Sequence, residues 1–275
     1  MKAKKRTALL GRVYLIICLI VALFPIYWMI NTSFKSDSEI YAKVPTLIPH
    51  HPTGAAYSYL INNTNFLSSM KNSLIIAVSV SVFSILIAYP VAYTLSRLKF
   101  KGRRIFSKSV LFMYLLPTTV LYIPLYMLVS KMHLTNTIWG LIVIYPTFTL
   151  PYVAWILIPH IAAVPKELEE AAFIDGSSVF NSFIRIMIPL SAPGIFTAAI
   201  LSFIYAWNNF LFALILSSSS TKTLPMAVFN FISYTSVNWG GLMAAAVVIT
   251  GPVIIVSIAL QKYVVSGLTA GAVKG

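Results

Sequence analysis

Glu170-Ala171-Ala172-Phe173-Ile174-Asp175-Gly176, followed after nine residues by Ile186-Met187-Ile188-Pro189, forms a polar island between two long uncharged runs. Four of the chain's six acidic residues (Glu167, Glu169, Glu170 and Asp175) fall in or just before it. Pro165 suits the first position of a helix, where its missing amide hydrogen costs nothing. Glu167, Glu169 and Glu170 favour the positive end of that helix, and Gly176 can supply a left-handed cap. The expectation is a short helix over 165–175, with Leu168, Ala171 and Ala172 as a small apolar stripe flanked by carboxylates. Small side chains there permit close approach by another protein. Ser177 or Ser178 can cap a second helix, which climbs through Arg185 into the next apolar run.

Outward from this island the chain is apolar. Of 275 residues 59% are hydrophobic and 9% charged, against about 25% charged in soluble domains. The uncharged runs Val13–Phe34, Asn72–Ser96, Ser109–Ser130, Leu134–Pro165, Ile186–Thr221 and Thr223–Gln261 each reach the roughly 20 residues needed to cross a bilayer. The reading is an all-α polytopic membrane protein of one domain, 1–275, with six spans near 12–34, 72–96, 108–130, 137–160, 186–216 and 241–262 and a tail over 263–275. A net charge of +14 could suggest nucleic acid, but such a surface needs its cations clustered on a water-facing domain, and here they lie in short blocks between the runs. With both termini inside, 15 of the 20 Lys and Arg fall in cytoplasmic segments and Lys35, Lys43, Lys71, Lys131 and Lys222 fall outside. That bias places both termini in the cytoplasm of a cell (inner) membrane protein. The first apolar run lacks a small-x-small cleavage site and reads as a retained helix. Cys18, alone of its kind, excludes an intrachain disulfide.

Other residues carry weaker signals. His50-His51 is a solvated loop pair, without the carboxylates or thiols a metal would need. Ser73, Ser79, Ser81 and Ser84 are the small hydroxyl residues that let membrane helices approach. The basic stretch from Arg97 to Arg104 sets topology and suits acidic lipid headgroups. Pro117, Pro124, Pro146, Pro151 and Pro159 bend helices three and four, and Pro189, Pro193 and Gly194 suggest a hinge in helix five. His133 reads as a loop residue and His160 as structural, near a helix end. Trp207, Asn208 and Asn209 are a polar patch within helix five; amides are costly in hydrocarbon unless paired, so they serve either a solute path or an interhelical hydrogen bond. Glycines in 266–275 argue for an irregular tail.

The absences are also informative. No G-x-x-x-x-G-K-[ST] loop occurs, so ATP hydrolysis is not expected of this chain. No Asp, Glu, Lys or Arg lies within the spans, which weakens the alternative of an ion-coupled secondary transporter or a channel. No acid/base pair or metal constellation points to an enzyme.

The pattern E-A-A, three residues, G, nine residues, I-x-L-P resembles the signature of the membrane permeases of bacterial ABC importers, met here by Glu170-Ala171-Ala172, Gly176, Ile186 and Pro189, with Ile188 in place of the usual Leu. Asn72-Ser73-Leu74, Ala92-Tyr93-Thr94-Leu95-Ser96-Arg97, Ile123-Pro124-Leu125-Tyr126, Asn136-Thr137, Leu168-Glu169-Glu170, Trp207-Asn208 and the glycine-rich end Gly267–Gly275 look like the smaller permease of maltose-type carbohydrate-uptake systems. The resemblance implies the type I importer fold and transport of a sugar or related polyol. It also implies a heterodimer with a second permease, two copies of a cytoplasmic ATPase that use ATP and Mg, and an extracytoplasmic sugar-binding protein. By the same resemblance, the helix over 165–175 docks in the ATPase, with Glu169, Glu170, Ala171, Ala172, Asp175 and Gly176 as the coupling residues. The chain itself then binds no cofactor. The loop around 217–240 would meet the binding protein, and the tail would reach the ATPase.

Overall fold

A computed structural model describes residues 2–62, 64–232 and 236–270. Among these the chain is helical, with a single isolated bridge between Ile232 and Val237. It divides into two compact units, 1–67 with 228–252 and 68–227 with 253–275.

The first unit begins with α1 (Lys2–Ser33), a continuous helix despite Pro25. Its apolar side chains from Leu9 to Phe24, Cys18 among them, are exposed, the arrangement expected of a helix whose solvent is lipid. Where α1 ends, the following segment folds back on it. Tyr27 donates to the Leu47 carbonyl, Asn31 Nδ2 to the Thr46 carbonyl at 3.3 Å, and Lys35 Nζ stands 4.8 Å from the centre of the Trp28 ring. Glu39 accepts hydrogen bonds from the Thr46 hydroxyl and from the His50 amide (3.1 Å). The Thr46 bond first, and then that amide, hold its carboxyl below the ordinary glutamate value.

The second unit is built on α2 (Phe66–Arg97), which keeps Pro90 inside an unbroken helix. Its buried face repeats at helical spacing through Ser73, Ala77, Ser81, Ser84, Ala88 and Ala92. Small residues let other helices come close, and hydroxyls bond across the contact. Ser73 Oγ accepts from the Leu224 amide (2.8 Å), Ser81 donates to the Ala199 carbonyl (2.8 Å), Ser84 meets Thr149, and Tyr89 meets Ser191 (2.7 Å).

The third apolar run breaks rather than bends. α3 (Arg103–Leu115) and the continuation to Lys131, which includes α4 (Tyr122–Lys131), turn by 88°. Leu116 is extended (ψ 134°) because a residue before proline is pushed out of the helical region, here by Pro117. The fourth run holds Ile138–Ile144, capped by Thr137 Oγ1 on the Gly140 amide (3.1 Å), and then α5 (Pro146–Ala163); together, Ile138–Ala163 is the most buried of the straight candidate spans among the described residues. α6 (Lys166–Ile174) follows. Beyond it, a turn at Val179–Ser182 runs into a π-helical stretch, Phe183–Met187, and Ile188–Leu190; the path then bends 73° into α7 (Ala192–Asn208). α7 packs on α5, as does α3. α8 (Trp239–Ala270) closes the described chain.

Among the described residues, four helices are therefore long and apolar enough to cross a membrane, and up to six spans result if each bent pair is one. The irregular structure expected over 266–275 is corrected for 266–270, which continue α8, and the helix expected to end near 262 runs on through 263–270. Gly267 weakens a helix by only about 1 kcal/mol, and no proline follows Pro252 to stop it. Residues 271–275 lie outside the described chain, as do 233–235 of the loop over 217–240.

Candidate functional site

α6 starts one residue later than the sequence suggests. Pro165 is extended (φ −57°, ψ 134°) and precedes the helix instead of opening it, and Asp175 closes it. The end is a Schellman motif: the Ser177 amide bonds the Ala172 carbonyl (2.9 Å), the Gly176 amide bonds the Phe173 carbonyl (3.1 Å), and Gly176 has φ +84°. Ser178 Oγ then accepts from the Asn181 amide (3.2 Å) and starts the next helical turn.

The carboxylates of this helix part company. Glu169 is 5% exposed, and its Oε2 lies 2.7 Å from Arg97 Nε in an ion pair buried on both sides. Its Oε1 accepts from the Tyr93 hydroxyl at 2.8 Å. Arg97 also donates to the Val164 carbonyl at 2.6 Å, just before α6, and approaches Met187 Sδ at 3.8 Å in the π-helical stretch. Arg97 thus touches α6, the exit of α5 and the entry to α7. A buried charge needs such a partner, since unpaired it costs several kcal/mol.

Glu170, Ala171, Asp175 and Gly176 are exposed, and Ala172 is half-buried. Beside them stand Leu168, Phe173, Ile174, Val179 and Phe180, all exposed, with Ile174 at 87%. This surface combines exposed apolar side chains with the exposed carboxylates of Glu167, Glu170 and Asp175. Glu169, grouped at first with the outward-facing residues, belongs instead to the chain's interior. Its partner Arg97 belongs to the basic stretch that the sequence assigns to topology and lipid headgroups; the signal for the pairing is the i, i+4 spacing of Tyr93 and Arg97, which puts both on one helix face.

The other predicted residues are dispersed. Trp207 is 1% exposed and stacks on Phe203 at 5.5 Å. Asn208 is exposed, and Asn209 Oδ1 accepts from the Phe212 amide (3.3 Å), starting the helix Leu211–Leu216. None of the three lines the cavity of about 1060 Å3 between α3, α5 and α7, whose walls include Tyr114, Phe148, Tyr152, Trp155, Thr197 and Tyr205. His160 also faces it, with Nδ1 on the Ile156 carbonyl (2.8 Å); its ring fills the space a side chain on Gly194 would occupy.

An exposed, carboxylate-bearing helix between a straight apolar span and a bent one is a shape other chains share. Residues 81–270 match the family described as binding-protein-dependent transport system inner membrane component. The chain belongs to that family. Similar permeases include the diacetylchitobiose uptake system permease protein DasC of Streptomyces coelicolor, 36% identical over 98% of this chain and 100% of that one. The trehalose/maltose transport system permease protein MalG of Thermococcus litoralis is 37% identical over 98% and 99%. Among solved structures, a bacterial ABC transporter involved in import of the acidic polysaccharide alginate superposes with a TM-score of 0.83 at 23% identity, over 96% of this permease and 98% of that chain. The fold is accordingly that of a type I ABC importer transmembrane domain, and the permease is a multi-pass inner-membrane protein.

Proposed function

We propose that this permease is one subunit of an ATP-driven importer carrying a sugar, an oligosaccharide or a related polyol, and that α6 is where a separate ATPase docks. The observation that carries the docking is the outward face of α6: Glu170 and Asp175 exposed beside Leu168, Phe173 and Ile174. Apolar groups held in water on a rigid, capped helix suit burial against a protein partner, and Glu170 would meet a cation there. ATP and Mg belong to that partner chain. Sugar as cargo follows the names of the similar permeases, for diacetylchitobiose and for trehalose or maltose. A second permease and an extracytoplasmic sugar-binding protein complete the assembly; one structural relative is an alginate transporter in complex with an alginate pentasaccharide-bound periplasmic protein. The distribution of Lys and Arg supports a cytoplasmic position for both termini and for α6.

Glu170→Lys tests the reading. It sets a like charge against the proposed cation, so co-purification of the ATPase and ATP-driven uptake should both be lost. Survival of both in the variant would overturn docking through this helix.

A further inference from the structure

α6 has just one fully buried side chain, and that side chain is charged. Leu168, Phe173 and Ile174 all stand exposed, while Glu169 is enclosed. The helix is therefore held to the rest of its unit less by an apolar seam than by one carboxylate. Both oxygens of that carboxylate are taken, Oε1 by Tyr93 and Oε2 by Arg97, residues one helical turn apart on α2. The Tyr93 hydrogen bond sets the direction of the carboxylate and the close ion pair with Arg97 fixes its position on the same rigid element, which a sliding apolar contact does not. At either end α6 has only short tethers: Val164-Pro165 before it, and the left-handed turn at Gly176 after it. Arg97 also holds the first tether, through the Val164 carbonyl.

We propose that Tyr93, Arg97 and Glu169 form a clamp that makes α6 and the Arg97 end of α2 one mechanical body, so that movement imposed on α6 is delivered to α2. All three are positioning residues. The inference rests on the docking of the ATPase at α6 proposed above. Burial of an ion pair is poor value for stability alone, since well-packed apolar residues do as well or better. A directional link between two moving elements is a purpose an apolar pair would not serve.

The test measures whether α6 and α2 stay together while ATP acts. Spin labels are placed at Lys166→Cys on α6 and Leu86→Cys on α2, both exposed, with Cys18→Ser, in the complete complex with its partner permease and ATPase. The distance distribution is recorded with and without ATP. The unaltered clamp should give the same distribution in both conditions. Glu169→Gln should shift or broaden it when ATP is added. Tyr93→Phe, which keeps the ring edge-on to Phe183 at 5.0 Å and loses one hydroxyl, should do so to a smaller degree. A merely structural role would alter both conditions alike or only lower the yield of complex. If Glu169→Gln fails to assemble, Tyr93→Phe decides by the same criterion. A distribution that stays independent of ATP in the variants, while Glu170→Lys still releases the ATPase, overturns the clamp alone. Failure of the ATPase to co-purify even with the unsubstituted permease would instead remove the docking on which the clamp rests.

Discussion

At Arg97 and Glu169 charge is buried on both sides, with side chains 6% and 7% exposed, so the two ways of removing it should differ sharply. Arg97→Met alone strands a carboxylate and is expected to destabilise the permease by about 3–5 kcal/mol. Arg97→Met combined with Glu169→Leu removes both charges and should recover most of that loss. Thermal unfolding of the purified permease in detergent distinguishes the outcomes. Gly176 offers a second test: at φ +84° a side chain costs roughly 1–2 kcal/mol. Nothing stands within 4 Å of where its Cβ would lie. Gly176→Ala should therefore show the backbone cost without a clash, and hydrogen exchange at Gly176 and Ser177, whose amides close the Schellman motif, should accelerate. The glycine cap was legible because a carboxylate-rich helix needed a stop and only Gly176 offered one. The ion pair was not: its halves lie far apart in the chain, and Glu169 and Glu170 are chemically identical neighbours. Which of the two turns inward depends on a 100° step around the helix and on where α2 passes.

Among the helices, proline marked the bent elements without ranking them. Pro25, Pro90, Pro151, Pro159 and Pro252 all sit inside continuous helices, so helix four does not break where its prolines suggested a bend, whereas breaks occur at Pro117 and beside Pro189 and Pro193. Local chemistry separates the cases. Pro117 is followed by Thr118, Thr119 and Val120, β-branched residues that are stiff in a helix. Near Pro189, the carbonyl of Met187 is claimed by both the Ser191 amide (3.0 Å) and the Ser191 hydroxyl, side-chain back-bonding that favours bending. Pro117→Ala should let the helical ladder run on through Leu116, read as slowed hydrogen exchange over 116–120. The segment after α1 gives the pH dependence. Because the folded pKa of Glu39 is lowered, its ionised form stabilises the segment above the ordinary glutamate value of 4.5, and that stability is lost as pH falls through the lowered value. A dye on Val44→Cys should gain mobility on acidification below about pH 4, read by fluorescence anisotropy, and Glu39→Gln should flatten the response.

For the whole molecule, what the sequence conveyed best was its relation to solvent. Uncharged runs long enough to span a bilayer became helices or bent pairs, because backbone groups in hydrocarbon have no other way to be satisfied. Where a run stops being one straight helix was hidden, since the same apolar letters serve a continuous span and a broken one. The exposed apolar length of α1 and the buried hydroxyl face of α2 illustrate the division: lipid accepts the first, and close helix approach requires the second. Which side of the membrane each loop occupies is a property of charge alone, and it can be tested without reference to transport. Fifteen of 20 cations lie in the segments assigned inside, and retention of Lys and Arg on the cytoplasmic side is the rule they follow. With Cys18→Ser as background, Lys43→Cys should react with a membrane-impermeant maleimide in intact cells or spheroplasts. Lys101→Cys, between α2 and α3, should react only after the membrane is opened. The reverse pattern would turn the molecule over, putting α6 and its carboxylates on the side away from ATP, and ATPase docking at Glu170 would fail with it.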